Sequence, residues 1–154
     1  MKIIDMHCDT ISRIYKNPGS QLRQNDFQLD LMKMKSSGYL LQNFAMFIDL
    51  DETEHPYETC LEQIRIFKSE LEKNNDLIAP VTNYAEILEN EKLGKISALM
   101  TIEEGQVCGG DLRILKEFYD LGARMMTFTW NHKNTLGIPA EPVHDSDRGG
   151  LTHL

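Results

Sequence analysis

Apolar positions change period along this chain, and the changes mark its elements. Ile3-Ile4 is a short apolar run leading straight into Asp5-Met6-His7-Cys8-Asp9-Thr10, which predicts a strand that ends in polar residues. Asp30 to Lys35, with Leu31, Met32 and Met34, reads as a short helix closed by Gly38. Tyr39 to Leu50 is apolar with little alternation, the pattern of a strand covered on both faces in a parallel sheet. From Pro56 the period becomes helical: Tyr57, Cys60, Leu61, Ile64, Phe67 and Leu71 share a face, predicting a helix over 56–74. Asn83 with Glu86 has the form of a loose capping box for a helix ending at Gly94, whose Ile87 and Leu88 are expected to face the sheet. Lys95 to Ile102 is a third strand, Asp111 caps a helix that runs to Gly122, and Ala123 to Thr129 is a fourth strand. Trp130 to Leu154, with Asn131, Gly137, Pro139, Pro142, Gly149 and Gly150, reads as a long irregular loop within a single domain, 1–154.

Four strands separated by helical segments predict a parallel α/β arrangement. A buried strand that ends in polar side chains has the look of the C-terminal mouth of a β/α barrel, where active sites of that architecture sit. In an extended segment alternate side chains share a face, so His7 and Asp9 project together and make half of a metal site. The same residues admit a second reading, with His7 a satisfied core histidine and Asp5 and Asp9 capping the next turn. Glu103 follows the third strand as His7 and Asp9 follow the first, so a parallel sheet puts all three at one edge, where a carboxylate can bridge two ions. The competing reading makes Glu103 or Glu104 a solvated loop acid. His132, His144 and His153 have no ligand spacing among them and read as solvated loop residues.

Length changes this picture in one respect. A chain of 154 residues with 41% apolar composition holds one domain and a core, whereas a complete β/α barrel takes about 250 residues. The net charge of −8, from 16 basic and 24 acidic residues, leaves no basic stripe for nucleic acid and disfavours an anionic membrane surface. Cys8, Cys60 and Cys108 are odd in number and widely spaced, without a CxxC pair, which fits a reducing compartment rather than a disulfide framework or a thiolate zinc site. No window approaches the roughly 18 apolar residues of a membrane span, and the start lacks the basic and apolar regions of a signal peptide. A soluble, cytoplasmic protein is expected.

Asp5-x-His7-x-Asp9, then Ile102-Glu103-x-Gly105, then Leu121-Gly122-x-Arg124-x-Met126-Thr127-x-Thr129 occur in this order. With the closing Gly150-Leu151-Thr152, they make the chain resemble the renal (membrane) dipeptidase family of zinc metallopeptidases over essentially its whole length. The resemblance implies an α/β fold, the N-terminal half of a TIM-type (β/α)8 barrel with about four β/α units. It implies a binuclear zinc site in which His7 and Asp9 bind one ion and Glu103 bridges both, hydrolysing dipeptides with a metal-activated water; Mn2+ or Co2+ would suit the same donors. The family's two further histidine ligands, and an arginine and an aspartate for substrate and catalysis, belong to strands after the Gly-Leu-Thr segment, beyond Leu154. Trp130 stands where the animal enzymes have a substrate-contacting histidine and is the candidate substrate-binding residue. Half a barrel has open sheet edges, so a homodimer or a C-terminal half supplied in trans is the expected partner. Two other readings remain open: a catalytically inactive truncated fragment, and another binuclear barrel amidohydrolase or a nuclease of the His-x-His type. The His7-x-Asp9 pattern disfavours the His-x-His type, and the acidic charge disfavours a nuclease.

Overall fold

A computed structural model of the chain describes residues 1–139 and 150–152. Five strands are joined by five helices, two of them between the first and second strands: β1 (Ile3–Asp5), α1 (Thr10–Lys16), α2 (Leu31–Ser37), β2 (Tyr39–Phe47), α3 (Pro56–Lys73), β3 (Ile78–Val81), α4 (Tyr84–Lys92), β4 (Ile96–Glu103), α5 (Leu112–Leu121) and β5 (Ala123–Thr127), with a 3-10 turn at Gly105–Cys108. Every pairing between these strands is parallel. β1 pairs with β2, and β2 with β4 over Ser97 to Glu103; on the opposite edge of β4, β3 takes Ile96 to Leu99 and β5 takes Met100 to Glu103. The upper part of the sheet therefore runs β1-β2-β4-β5, an arc of a β/α barrel with its strand ends level on one side.

The four expected strands are these four, and β3 is an addition to them. Its sequence, Ile-Ala-Pro-Val, is short and contains Pro80, which has no N–H for a ladder and suits only a strand with a free edge. Such a free edge exists because, among the described residues, β3 pairs with β4 alone. The second strand stops at Phe47, not Leu50, because the Asp49 carboxylate accepts the Asp51 N–H (3.0 Å) and turns the chain. The fourth stops at Thr127, not Thr129: the Phe128 carbonyl accepts instead from the Gly105 N–H (3.3 Å) and from Asn134 Nδ2 (2.7 Å). Helix α1 carries little signal in the sequence, since in seven residues only Ile11 and Ile14 mark its apolar period.

Caps follow the sequence closely. The Asp30, Asn83 and Asp111 side chains accept from backbone N–H groups of α2, α4 and α5. The Glu86 carboxylate completes the box of α4 one residue early, on the Thr82 N–H at 2.6 Å. The face of α4 differs from expectation: Leu88 is 39% exposed, and Asn90 is the buried residue. Asn90 Nδ2 donates to Ser97 Oγ (3.3 Å) and to the Ala79 carbonyl (3.4 Å), which makes a polar seam over the β3–β4 pair.

The core lies between one face of the sheet and the helices. Phe44, Met46 and Ile48 from β2 and the segment after it, with Ala98, Met100 and Ile102 of β4, pack against Ile11, Ile14, Cys60, Ile64 and Phe67. The Phe44 and Phe67 rings are 5.6 Å apart. Alternation sends Asn43, Ala45 and Phe47 to the other, concave face. There Asn43 Nδ2 donates to the Met6 carbonyl at 3.0 Å. Ile4, in register with Leu41, and Met125 remain 57% and 45% exposed.

Asp30 ties α2 to the loop before it. It is buried, and its carboxylate accepts the N–H groups of Lys33 (2.8 Å) and Asn25 (3.3 Å) beside the Lys33 ammonium (3.0 Å). Burial pushes this carboxyl up, but the hydrogen bonds and the lysine outweigh it and hold it below its ordinary value. The stabilisation is thus complete above the unfolded carboxylate range, near pH 4, and is lost as pH falls through the depressed folded value. Urea unfolding measured from pH 7 down to pH 2.5 should show this acid loss in the parent chain and a flatter dependence in Asp30→Asn.

Candidate metal centre

The polar end of β1 is held by β2. The Cys8 N–H donates to the Asn43 carbonyl (3.1 Å) and the Ala45 N–H donates to the Cys8 carbonyl (3.0 Å), so the parallel ladder continues past Asp5. His7 and Asp9 flank this anchored residue and share a face. The Asp5 carboxylate accepts the His7 N–H at 3.1 Å and steadies the segment. Asp9 occupies the cap position of α1, yet its side chain makes no capping bond. The His7 side chain is 51% exposed, which removes the core-histidine reading.

Glu103 arrives from β4, whose last residue lies opposite Phe47 on one side and Thr127 on the other. His7 Nε2 stands 3.2 Å from Asp9 Oδ1 and 3.5 Å from Glu103 Oε2. One ligand atom from each residue lies within 4.8 Å of the others. Burial pushes the Glu103 carboxyl up; nearby His7 pulls it down, and Asp9 raises it further. Asp9 Oδ1 is buried without a hydrogen-bond partner, because the contact with His7 lacks hydrogen-bond alignment. Two carboxylates crowded around an imidazole, one of them with an orphaned oxygen, are what a bound divalent cation would satisfy. The nitrogen and oxygen donors fit zinc, manganese or cobalt. A cleft of about 480 Å³ opens beside His7 and Asp9, lined also by Arg13, Gln28 and Tyr39.

Neither glutamate at the end of β4 is a solvated loop acid: the Glu103 side chain is 16% exposed and Glu104 is fully buried. Glu104 accepts the N–H groups of Gln106 (2.8 Å) and Trp130 (3.3 Å) and the amide of Asn134. It does so at φ +120°, the one positive φ outside glycine among the described residues. The sequence weighed it only beside Glu103; a signal existed in the polar Asn134 and the glycines around it, but nothing local connects them.

Trp130 lies on the segment this carboxylate holds. Its indole meets the Phe47 ring edge-on at 4.7 Å, placing it over the strand residue opposite Glu103. His132 is also less solvated than its spacing implied. Its Nε2 lies 3.5 Å from Asp51 Oδ2 and 3.9 Å from Asp49 Oδ1, a second acid and imidazole group at the end of β2. Eighty residues of chain separate the partners, so no motif announces it. The expectations for His144 and His153 lie outside the described residues. The described part of the loop, 130–139 and 150–152, holds one isolated antiparallel bridge, Gly137 to Leu151.

Comparison with known proteins gives a consistent set of likenesses. A family model described as membrane dipeptidase (peptidase family M19) matches residues 1–154. An uncharacterized dipeptidase of Schizosaccharomyces pombe is 28% identical over 169 residues, covering 97% of this chain and 40% of that protein. The crystal structure of a metallopeptidase called dipeptidase AC superposes with a TM-score of 0.82 at 22% identity, over 89% of this chain and 45% of its own. A metallopeptidase from Rhodobacter sphaeroides, solved with a phosphinate mimic of the dipeptide L-Ala-D-Ala, also gives 0.82, at 20% identity over 89% of this chain and 48% of its own. This chain thus spans under half the length of the proteins it matches.

Gly105 tests the packing behind the site. A Cβ there would collide with Leu136 Cδ1 and meet the Phe128 carbonyl oxygen at 2.6 Å. Backbone on one side cannot give way, so Gly105→Ala should push the 128–137 segment off the end of β4 at a cost of about 1–3 kcal/mol. A lowered thermal midpoint together with changed Trp130 emission would register it.

Proposed function

We infer the function from one premise: the chain belongs to the membrane dipeptidase family, peptidase family M19. On it we propose that these residues are the metal-binding part of a zinc-dependent dipeptidase. His7 and Asp9 would hold one ion and Glu103 would bridge it to a second. The observation that carries this reading is the convergence of three ligand atoms from two strand ends, with Asp9 Oδ1 left without a partner. When bound, such ions supply an acidified water and a Lewis acid for a peptide carbonyl. The protein's own part is to fix ligand direction: Cys8 through its two backbone bonds, and Glu103 through its place at the end of β4. Trp130 and Phe47 would form an apolar wall against a dipeptide side chain beside Glu103.

The remaining ligands of a binuclear site would come from the rest of a β/α barrel, whether it follows in the same polypeptide, is a C-terminal half supplied in trans or is, across a dimer interface, another copy. Exposed Ile4 on β1 and Met125 on β5, and exposed Leu112 and Leu115 on α5, support missing neighbours. No helix among the described residues is long and apolar enough to cross a membrane.

Native mass spectrometry with added zinc reads assembly and metal count together. Two ions per closed barrel in a dimer support shared catalysis; a monomer with one ion supports a binding half that needs a C-terminal partner; no bound ion overturns the metal reading. In any assembly that cleaves dipeptides, Glu103→Gln should lower turnover by at least about 100-fold, since the bridging charge is lost. Unchanged turnover would remove Glu103 from the site.

A further inference from the structure

We propose that Glu104 is a positioning residue, a buried carboxylate that sets where β4 ends and locks the Trp130 segment over the metal ligands. The inference rests on the reading of His7, Asp9 and Glu103 as ligands. Continued strand geometry would send Glu104 to the face of Ile102, into the apolar helix layer. A left-handed φ of +120° ends the strand at this residue instead. Glycine tolerates that conformation best, so a glutamate there is retained by something its side chain does. Among the described residues its two oxygens meet only donors: the N–H groups of Gln106 and Trp130, and Asn134 Nδ2. Asn134 passes the hold onward. Its Nδ2 also donates to the Phe128 carbonyl (2.7 Å), and its Oδ1 accepts the N–H groups of Leu136 (2.8 Å) and Gly137 (3.0 Å). Gln106 adds a strut, its Oε1 accepting the Thr135 N–H at 2.9 Å. One carboxylate thus fixes, within a single residue of Glu103, both the backbone that aims Glu103 and the loop that carries Trp130 onto Phe47.

Glutamine in this place would turn its NH2 toward donors, so Glu104→Gln keeps the volume and removes the function. Glu104→Gly relieves the backbone and removes the anchor. Trp130 is the one tryptophan of the chain, and its emission reports the loop directly. Zinc affinity, measured by competition with a chromophoric chelator, and the visible spectrum of bound Co2+ report ligand geometry. Both variants should shift Trp130 emission to the red, and both should weaken zinc by about 10- to 100-fold, as loss of a group that orients ligands does. Leu71→Ala, a core change on α3 away from the strand ends, serves as the control; at a matched loss of thermal midpoint it should leave zinc affinity and the Co2+ spectrum unchanged. Should the Glu104 variants fail to fold, Asn134→Ala breaks the same hold from the loop side and should give the same signals. Shifted emission with parental zinc affinity and Co2+ spectrum would reduce Glu104 to a loop anchor and overturn the proposal, as would unshifted emission. A parental chain that binds no zinc would sink the ligand reading itself, and with it the metal half of this inference, while the emission comparison still decides whether Glu104 holds the loop.

Discussion

Parallel pairing on both edges of β2 is the constraint on which the rest depends. On one edge Cys8 bonds between Asn43 and Ala45; on the other Phe47 lies level with Glu103. Two segments a hundred residues apart are thereby brought to one end of the sheet with their side chains on one face. A slip of one residue in the first pairing would turn His7 and Asp9 toward the helices, since side-chain direction reverses at each step. The close approach of His7, Asp9 and Glu103 is in this sense a property of register before it is a property of the three residues.

Glu103 and Glu104 show how position divides like from like. The first ends β4 and faces another acid and an imidazole, and burial pushes its carboxyl up. The second pairs with no cation among the described residues and is satisfied by three N–H donors inside the protein. Its backbone strain, of order 1–3 kcal/mol, is matched by hydrogen bonds to a carboxylate, each worth about 1.5–3 kcal/mol. Local strain beside Glu103 is tolerable because the loop after β5 is folded around Glu104.

The concave face completes the description. Ile4 and Met125 are exposed there, and α5 turns Leu112, Leu115 and Tyr119 outward while Phe118 alone is buried. Exposed apolar groups of this size are the kind of surface that a neighbour covers. The chain covers under half the length of the matched structures, which agrees with an arc and not a closed barrel.

Much of the arc was legible in the residues. Caps at Asp30, Asn83 and Asp111, the glycines Gly38 and Gly122, and the apolar runs of β2 and β4 act within a few residues, so sequence alone determined the four barrel strands and most helices. The Asp-x-His-x-Asp motif and Glu103 were legible as candidates because alternation and strand order are local rules. What escaped was set by contacts across the chain. β3 exists because β4 offers it the part of an edge that β5 leaves free; Leu88 turns to solvent because Asn90 finds Ser97 and Ala79. His132 meets Asp49 and Asp51, and Glu104 meets Trp130 and Asn134, over separations no local pattern spans. The sequence by itself determined four of the five strands and the candidate residues near their ends; only the tertiary structure decided where those strands stop, that β3 joins them and which ends meet, because hydrogen bonds and buried charges are satisfied in space and not along the chain.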